Sequence, residues 1–309
     1  MSEAEQRPAF IGVDWGTSSF RAWLIDDRGG VLDFVQGPFG IRQITDRSFE
    51  KTLRTAIGSW LVEHEDIAVI MCGMIGSAQG WHEAGYLSGQ IGVDELSSGM
   101  VKVPDTRLNV MIIPGIRGVS AAGLNDVVRG EETLLAGWLQ QPTDCEALFC
   151  LPGTHSKWIV AREGQVNQLT TFMTGELFEL MRTRSILASF IDSQTVADSK
   201  SDIFCKGLTL AQSPIGLLHQ MFAIRAGALT GQYAKSDVLT LLSGVLVGAE
   251  CLAVKPLVQT RSVTLMSSGD LKQTYQNAFE HFGFVFNVAD SEQAAQKGLF
   301  SIFNQIQQG

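Results

Sequence analysis

The segment Asp14–Leu24, with the sequence DWGTSSFRAWL, joins two strand-like runs through a turn of small residues. The run before the turn, residues 10–14, is apolar and ends in Asp14, and residues 20–25 alternate apolar and polar side chains. A second turn, Asp27–Gly30, leads to another alternating run at 31–36. The N-terminal region therefore predicts three consecutive strands joined by two tight turns.

The same pattern returns in the second half of the chain. An apolar run at 147–151, a turn at Pro152–Ser156, and strand-like runs at 157–161 and 165–171 follow one another in the same order. The pairs Gly16-Thr17 and Gly153-Thr154 lie 137 residues apart, close to half of the 309-residue chain. Helical patterns and further apolar runs follow each set, at 49–62, 67–72, 208–234, 238–253 and 262–267. This repetition predicts an α/β protein of two duplicated domains, with a central cleft as the default ligand site.

The domain boundary is expected at Gln141-Pro142-Thr143, after a connecting helix at 131–139. It divides the chain into 1–142 and 143–309. The first domain then holds the Gly16-Thr17 turn, and the second holds the Gly153-Thr154 turn.

Composition narrows the function further. The chain has 23 Lys and Arg against 32 Asp and Glu, a formal net charge of -9 that argues against nucleic acid and anionic membranes as partners. The N-terminal residues MSEAEQRPAF carry no export signal, and polar residues interrupt the apolar stretch 238–254. The five cysteines contain no C-x-x-C pair and are expected to be reduced. We therefore expect a cytoplasmic protein without a structural zinc site.

The two Gly-Thr turns carry the first chemical hypothesis. Small residues expose backbone N–H groups that can bind phosphate oxygens, so Gly16, Thr17 and Ser18 in one half and Gly153 and Thr154 in the other could bracket a polyphosphate. Asp14, at the end of the first strand, is suited to hold Mg²⁺. The alternative is that these are ordinary turns, which the duplication makes less convincing.

Two other interpretations of the second turn fail. Lys157 follows Gly153–Ser156, but no G-x-x-x-x-G-K-[ST] motif occurs, and a strand rather than a helix comes next. His155 and Ser156 are adjacent in a predicted strand and point to opposite faces, so they do not form a nucleophilic pair.

The motifs together carry a resemblance. Residues 14–21 and 152–158 resemble the two phosphate motifs of the actin-like ATPase superfamily, whose domains are ribonuclease H-like. More narrowly, the chain resembles the 2-dehydro-3-deoxygalactonokinase family, through MCGMIGSAQGW (71–81), IIPGIRG (112–118), DVVRGEET (126–133), LPGTHSKW (151–158), MTGELFEL (173–180) and LLSGVLVGAE (241–250). The resemblance implies ATP-dependent phosphorylation of 2-dehydro-3-deoxy-D-galactonate to its 6-phosphate, a step of galactonate catabolism, with ATP and Mg²⁺ bound.

The resemblance also implies roles for individual residues. Asp126, in an Asn-Asp pair ahead of Gly-Glu, is the preferred catalytic base, with Asp14 and Glu131 as competitors and a helix N-cap as the structural alternative. Arg21 and Lys157 could add positive charge at the ATP phosphates, and a solvated side chain at the start of a strand is the alternative for each. The sugar acid needs an arginine for its carboxylate. The acceptor site is therefore sought among these residues: Ser77, Trp81, Arg117, Arg129, Glu131 and, further, Tyr86 and Glu176.

The nucleotide base is expected in the second half, near Gly244 and Gly269, because glycine allows a purine to approach the backbone. Close helix packing is the alternative for Gly244.

Other functions stay open at this point. A non-catalytic actin-like ATP switch is one, and a kinase for the C4 epimer, 2-dehydro-3-deoxygluconate, is another. The oligomeric state is open between monomer and homodimer, because the apolar stretch 282–286 fits either core or a dimer contact.

Overall fold

The computed structural model describes residues 7–140, 146–258 and 261–308. It divides into two compact units. Among the described residues, the first comprises 7–140, 161–169 and 291–308, and the second comprises 146–160, 170–258 and 261–290. The expected boundary at Gln141-Pro142-Thr143 lies outside the described residues. The C-terminal helix belongs to the first unit, which differs from the expected division into 1–142 and 143–309.

The strands and helices are numbered along the chain. The strands are β1 (Pro8–Trp15), β2 (Phe20–Asp26), β3 (Val31–Gly37), β4 (Ala68–Cys72), β5 (Tyr86–Ser88), β6 (Val101–Lys102), β7 (Val110–Ile112), β8 (Gly115–Val119), β9 (Asn125–Val128), β10 (Ala147–Leu151), β11 (Ser156–Arg162), β12 (Gln165–Phe172), β13 (Val263–Met266) and β14 (Phe286–Ala289). The helices are α1 (Phe49–Glu63), α2 (Val93–Ser98), α3 (Glu131–Leu139), α4 (Thr174–Arg184), α5 (Asp202–Leu210), α6 (Leu217–Thr230), α7 (Val238–Val258), α8 (Gly269–Phe282) and α9 (Ser291–Gln308).

The described part of the first unit holds a six-stranded sheet of order β3-β2-β1-β4-β7-β6 and a three-stranded sheet of order β5-β8-β9. Strand β1 is central, antiparallel to β2 and parallel to β4, so its apolar run is buried. Strand β3 lies at the edge and alternates exposed with half-buried residues. Asp14 pairs in register with Cys72, which brings the carboxyl ends of β1 and β4 to one edge of the sheet.

The C-terminal helix α9 belongs to the first unit because it packs directly against α3. A Cβ at Gly298 would lie 1.7 Å from the carbonyl oxygen of Thr133, so only glycine allows this approach. Phe303 stacks on Phe10 with ring centroids 4.4 Å apart. These partners are far apart in the sequence, which is why the linear pattern assigned α9 to the second domain.

The described part of the second unit includes strands of a five-stranded sheet of order β12-β11-β10-β13-β14, in which β10, β13 and β14 are parallel. The order matches β3-β2-β1-β4-β7 in the first unit, where β1, β4 and β7 are likewise parallel. The predicted duplication of an α/β domain is therefore confirmed. The hairpin segment 161–169 clusters with the first unit.

Two other sequence expectations meet the structure here. The helix expected over 208–234 is interrupted: α5 ends at Leu210 and α6 begins at Leu217, because Pro214 cannot continue a helix and Gly216 has a φ of 94°. In the apolar stretch 282–286, Phe284 is buried, and Phe282 and Phe286 pack against the core of the second unit. The core interpretation is confirmed for these three phenylalanines, whereas Val285 is 71% exposed.

One helical span, Lys235–Val258, is long and apolar enough to cross a membrane by length and composition. It contains α7, and 72% of its apolar window is buried inside the protein. Buried residues occur around the whole circumference of α7, as expected for the core helix of a folded domain.

Candidate active site

The first phosphate turn connects β1 to β2. The Gly16 N–H donates to the Ser19 carbonyl at 2.9 Å, and the Ile41 and Arg42 N–H groups donate to the carbonyls of Gly16 and Thr17. Among the described residues, the N–H groups of Thr17 and Ser18 have no hydrogen-bond partner. The carbonyls of the turn therefore face the protein, and the N–H groups of Thr17 and Ser18 stay available to bind an anion.

A glycine outside the turn shapes it. A Cβ at Gly40 would lie 2.4 Å from the Ser18 backbone, so Gly40 allows the following loop to press directly against the turn. The Trp15 indole N–H donates to the Phe39 carbonyl at 2.9 Å and ties the same loop to the end of β1. The turn conformation is therefore fixed by tertiary contacts as well as by its own small residues.

Asp14 stands at the end of β1, and its carboxylate oxygen Oδ2 pairs with Arg21 Nη2 at 2.5 Å. Burial raises the pKa of Asp14, the Arg21 charge acts in the opposite direction, and the negative charge of Glu131 raises the pKa further. The Arg21 guanidinium is therefore engaged in an ion pair with Asp14. Because the Glu131 charge acts on Asp14, the two carboxylates lie near each other. Two residues predicted for the site are therefore brought together.

The start of α3 holds two carboxylates folded back onto the backbone. Glu131 Oε2 accepts from the Arg129 N–H at 3.0 Å, and both Glu132 oxygens accept from the Gly130 N–H, at 2.8 and 2.7 Å. Glu132 is fully buried, and burial, followed by the Glu131 charge, raises its pKa to about 8. Gly130 has a φ of 103°, and a Cβ there would lie 3.2 Å from the Cα of Gly73 at the end of β4.

Asp126 lies on strand β9 rather than at a helix terminus. Its partner across the antiparallel pair is Gly118, and the N-cap of α3 is Gly130, so the helix-cap alternative for Asp126 is wrong. The half-buried Asp126 shares a sheet face with the buried residues Ile116 and Val128. The Asp126 carboxylate accepts from the Val127 N–H at 2.7 Å.

Arg129 has the most distinctive environment among the predicted acceptor-site residues. Its Nη2 donates to the Gly85 carbonyl at 2.8 Å, and its guanidinium lies 4.3 Å from the Tyr86 ring centroid. Its Nε and Nη1 are buried and have no hydrogen-bond partner among the described residues. A Cβ at Gly76 would lie 2.9 Å from Nη1, which places Arg129 against the loop that carries Ser77.

The other residues predicted for the acceptor site have surroundings that point less clearly to a ligand. The Ser77 hydroxyl donates to the Met74 carbonyl at 2.7 Å, and Trp81 is half-buried against the core of the first unit. Arg117 is exposed on the opposite face of β8 from Gly118, and its Nε donates to the Ser88 hydroxyl at 3.1 Å. Glu176, in contrast, belongs to the second unit.

The second phosphate turn, 152–155, connects β10 to β11 and is braced by the start of α4. The Glu176 N–H donates to the Thr154 carbonyl at 2.8 Å, and Glu176 Oε2 lies 2.6 Å from His155 Nε2. A Cβ at Gly175 would lie 2.4 Å from the Gly153 carbonyl oxygen. The Lys157 ammonium, on a side chain only 8% exposed, donates to the His155 carbonyl at 3.0 Å, so the solvated alternative for Lys157 is wrong.

A cavity of about 200 Å³ opens beside this turn, inside the second unit. Its lining includes Gly153 of the turn, Thr174 and Gly175 of α4, Ser243 of α7, and Asp270 and Tyr275 of α8. Its position beside the turn and its apolar and polar lining are typical of a small-molecule subsite.

The two glycines predicted for the nucleotide base differ in their surroundings. Gly269 begins α8 with a φ of 59° and directly precedes the cavity residue Asp270. Gly244 instead faces α5, because a Cβ there would lie 2.5 Å from the Phe204 carbonyl oxygen and 2.9 Å from the Cα of Gly207. Helix packing therefore accounts for Gly244, and its neighbour Ser243 lines the cavity.

Two buried carboxylates near the predicted site residues were not predicted from the sequence. Glu132 is one, and Glu250, 2% exposed in α7, is the other. A signal existed for Glu250, since it is the one acidic residue in the largely apolar sequence VLTLLSGVLVGAECLAVKPLV. A carboxylate in such a helix is buried only when polar groups donate hydrogen bonds to it.

Two sheets that share one strand order over five strands, each with a Gly-Thr turn between its first two strands, agree with the actin-like ATPase fold that the sequence motifs imply. The ADPNP-bound activator of 2-hydroxyisocaproyl-CoA dehydratase from Clostridium difficile shares this fold, with a TM-score of 0.53 and 10% identity over 97% of this chain and 96% of that one. Within this class, the chain belongs to the 2-keto-3-deoxy-galactonokinase family, whose family model matches residues 14–302.

Individual relatives agree with the family model. The 2-dehydro-3-deoxygalactonokinase of Escherichia coli (strain K12) is 32% identical over 298 residues, 96% of this chain and 98% of that protein. The crystal structure of a 2-dehydro-3-deoxygalactonokinase homologue from Sinorhizobium meliloti has a TM-score of 0.89 and 31% identity, covering 96% of this chain and 99% of that one.

Proposed function

We propose that this protein is an ATP-dependent kinase that phosphorylates the 6-hydroxyl of 2-dehydro-3-deoxy-D-galactonate. The observation that carries the proposal is the family match over residues 14–302, which includes both Gly-Thr turns and the RGEET and MTGE segments. The likeness to the E. coli enzyme over nearly the whole of both chains supports the same substrate. The reaction would serve galactonate catabolism in the cytoplasm, with no role for nucleic acid or membrane.

The phosphates of ATP would be bound by backbone donors of both turns. In the first turn the N–H groups of Thr17 and Ser18 are available, and Gly16 keeps their approach open. In the second turn Gly153 and Thr154 take the equivalent role, and the buried Lys157 ammonium beside the turn offsets phosphate charge. The base would enter the cavity beside Gly153, where Gly269 gives α8 an unobstructed start.

The family implies Mg²⁺ as well. Magnesium in phosphoryl-transfer enzymes is held by one or two carboxylates together with waters and substrate phosphates. The described residues contain no cluster of three or more metal-binding side chains, and the half-buried Asp14, with Oδ2 paired to Arg21, fits the single-carboxylate arrangement. Mg²⁺ bound there would offset the charge of the transferred phosphoryl group.

Arg129 would bind the carboxylate of the sugar acid. Its Nε and Nη1 are buried donors on different sides of the guanidinium and have no hydrogen-bond partner among the described residues, so each can donate to a carboxylate oxygen. Tyr86 and the Gly85 carbonyl hold the guanidinium in place from its other sides. Ser77, on the adjoining loop, would contact a substrate hydroxyl. For Trp81 and Arg117 we propose only a boundary to the same site.

The acceptor hydroxyl must lose its proton as the phosphoryl group arrives. We propose Asp126, half-buried on β9, as the base, with Asp14 and Glu131 as its competitors. The negative charge of Glu131 acts on Asp14, so these two carboxylates share one environment. The variants D126N and E131Q separate them. Loss of the base lowers kcat at saturating substrates, whereas near-normal turnover of D126N would remove Asp126 from this role.

A coupled assay of ADP release, with and without the sugar acid, tests the kinase against the ATP switch. A kinase releases ADP in proportion to the sugar acid supplied. A switch protein shows slow release that the sugar acid does not change.

A further inference from the structure

The buried carboxylate of Glu250 is the centre of a polar network in the second unit. Its Oε1 accepts from the Ser156 hydroxyl at 2.6 Å and from the Trp158 indole N–H at 2.8 Å. Its Oε2 accepts from the Tyr275 hydroxyl at 2.8 Å and from the Thr174 hydroxyl. These four donors fill the lone-pair sites that a carboxylate offers.

The donors come from the elements that shape the nucleotide-binding region. Ser156 is the first residue of β11 and directly follows the second phosphate turn. Thr174 begins α4, next to Gly175, which presses on the Gly153 carbonyl, and Tyr275 belongs to α8. Thr174 and Tyr275 also line the cavity beside that turn. One carboxylate in α7 therefore joins three elements: β11, which directly follows the turn, and α4 and α8, whose residues Thr174 and Tyr275 form the floor of the cavity.

The network is costly to break and specific in geometry. A buried carboxylate is tolerated only with its hydrogen bonds made, so each donor is held where Glu250 needs it. The indole N–H of Trp158 can only donate, which fixes Oε1 as an acceptor. The hydroxyls of Thr174 and Tyr275 donate to Glu250, and the Tyr275 hydroxyl oxygen also lies 3.3 Å from the Ser156 hydroxyl oxygen.

We propose that Glu250 is a positioning residue for nucleotide binding: by holding Ser156, Thr174 and Tyr275 it fixes the second phosphate turn and the cavity floor. The inference rests on the proposed function, because it takes this turn and cavity as the ATP site. It assigns to Glu250 an effect on ATP that does not extend to the sugar acid, whose proposed contacts lie in the first unit.

The variant E250Q tests the proposal with little change of shape. The glutamine oxygen can still accept from Ser156 and Trp158, but its amide N–H groups then face the hydroxyls of Thr174 and Tyr275. Those hydroxyls must turn their protons away from position 250. We expect KM and Kd for ATP to rise by about tenfold or more, which is the worth of one hydrogen bond to a charged group. The KM for the sugar acid should stay within about twofold of wild type.

Two further variants keep the test decisive. V254A shortens a buried core side chain of α7 that lies one helical turn beyond Glu250, and it should lower the melting temperature without changing either KM. S156A removes one donor behind the turn without altering a cavity residue, and it should also raise the KM for ATP. It takes the place of E250Q in the test if E250Q does not fold.

An unchanged KM for ATP in E250Q, or in S156A if E250Q does not fold, would overturn the proposal. An equal rise of the KM for ATP and the KM for the sugar acid would overturn it too, as would the same rise of the KM for ATP in V254A. A wild-type protein that does not bind ATP would instead refute the proposed function itself. Calorimetric titration of each variant with a non-hydrolysable ATP analogue provides Kd independently of turnover.

Discussion

Glu132 makes the stability of the first unit depend on pH in a direction opposite to that of an ordinary paired carboxylate. Its pKa is raised from 4.5 to about 8, so the folded protein keeps the proton over a range in which the unfolded chain has released it. The folded state binds more protons in that window, and the free energy of unfolding falls as the pH rises through it. The full stability is present below about pH 4.5 and the loss is complete above about pH 8.

The size of the effect follows from the shift. Each pH unit inside the window costs about 1.4 kcal/mol, so about 2.7 kcal/mol is lost between about pH 5.5 and pH 7.5 and about 5 kcal/mol over the whole window. The variant E132Q cannot titrate and should lack this decline, and its amide oxygen can still accept from the Gly130 N–H. Wild type should therefore lose stability relative to E132Q as the pH rises.

Urea unfolding followed by tryptophan fluorescence measures this directly. Five of the six tryptophans lie in the first unit, so the signal reports the unit that contains Glu132. The exposed Glu63 provides the control, since E63Q should leave the pH dependence unchanged. Parallel stability curves for wild type and E132Q between pH 5.5 and 7.5 would show that Glu132 is ionised in the folded protein and would refute the reasoning.

Three further predictions concern packing and the two binding sites. G298A should destabilise the protein by about 1–3 kcal/mol in urea unfolding despite the higher helix propensity of alanine, because the added Cβ meets the Thr133 carbonyl; an equal or higher midpoint would contradict this. G175A should raise the KM for ATP and spare that for the sugar acid, since its Cβ pushes on the Gly153 carbonyl, and steady-state kinetics in which both KM values match wild type would count against it. R129K should raise the KM for the sugar acid by about tenfold, because a lysine ammonium does not reproduce the fixed Nε and Nη1 donors of the guanidinium, and a neutral analogue of the substrate should show no such difference between wild type and variant.

The sequence patterns predicted the strands around both turns because alternation and small-residue turns are local properties. Strands β1 to β3 and β10 to β12 form where the runs predict, and α3 spans Glu131–Leu139 as expected. The duplication was also readable, since the two Gly-Thr pairs recur half a chain apart.

The missed features depend on contacts between distant residues. Glu250 receives donors 94 and 76 residues away, and α9 packs on α3 through Gly298 and Thr133. The orphaned donors of Arg129 and the packing of Gly244 against α5 are likewise tertiary facts. No period or spacing in the linear sequence reveals that two donor atoms of one arginine are buried without a partner.

The central claim is tested most directly by identifying the product. Purified protein is incubated with ATP and Mg²⁺ and either 2-dehydro-3-deoxy-D-galactonate or its C4 epimer, and the products are examined by phosphorus and carbon NMR. We predict a phosphate ester at C6 of the galacto compound, formed with higher kcat/KM than from the epimer. ATP consumption without a sugar phosphate, or phosphorylation of the epimer alone, would contradict the account.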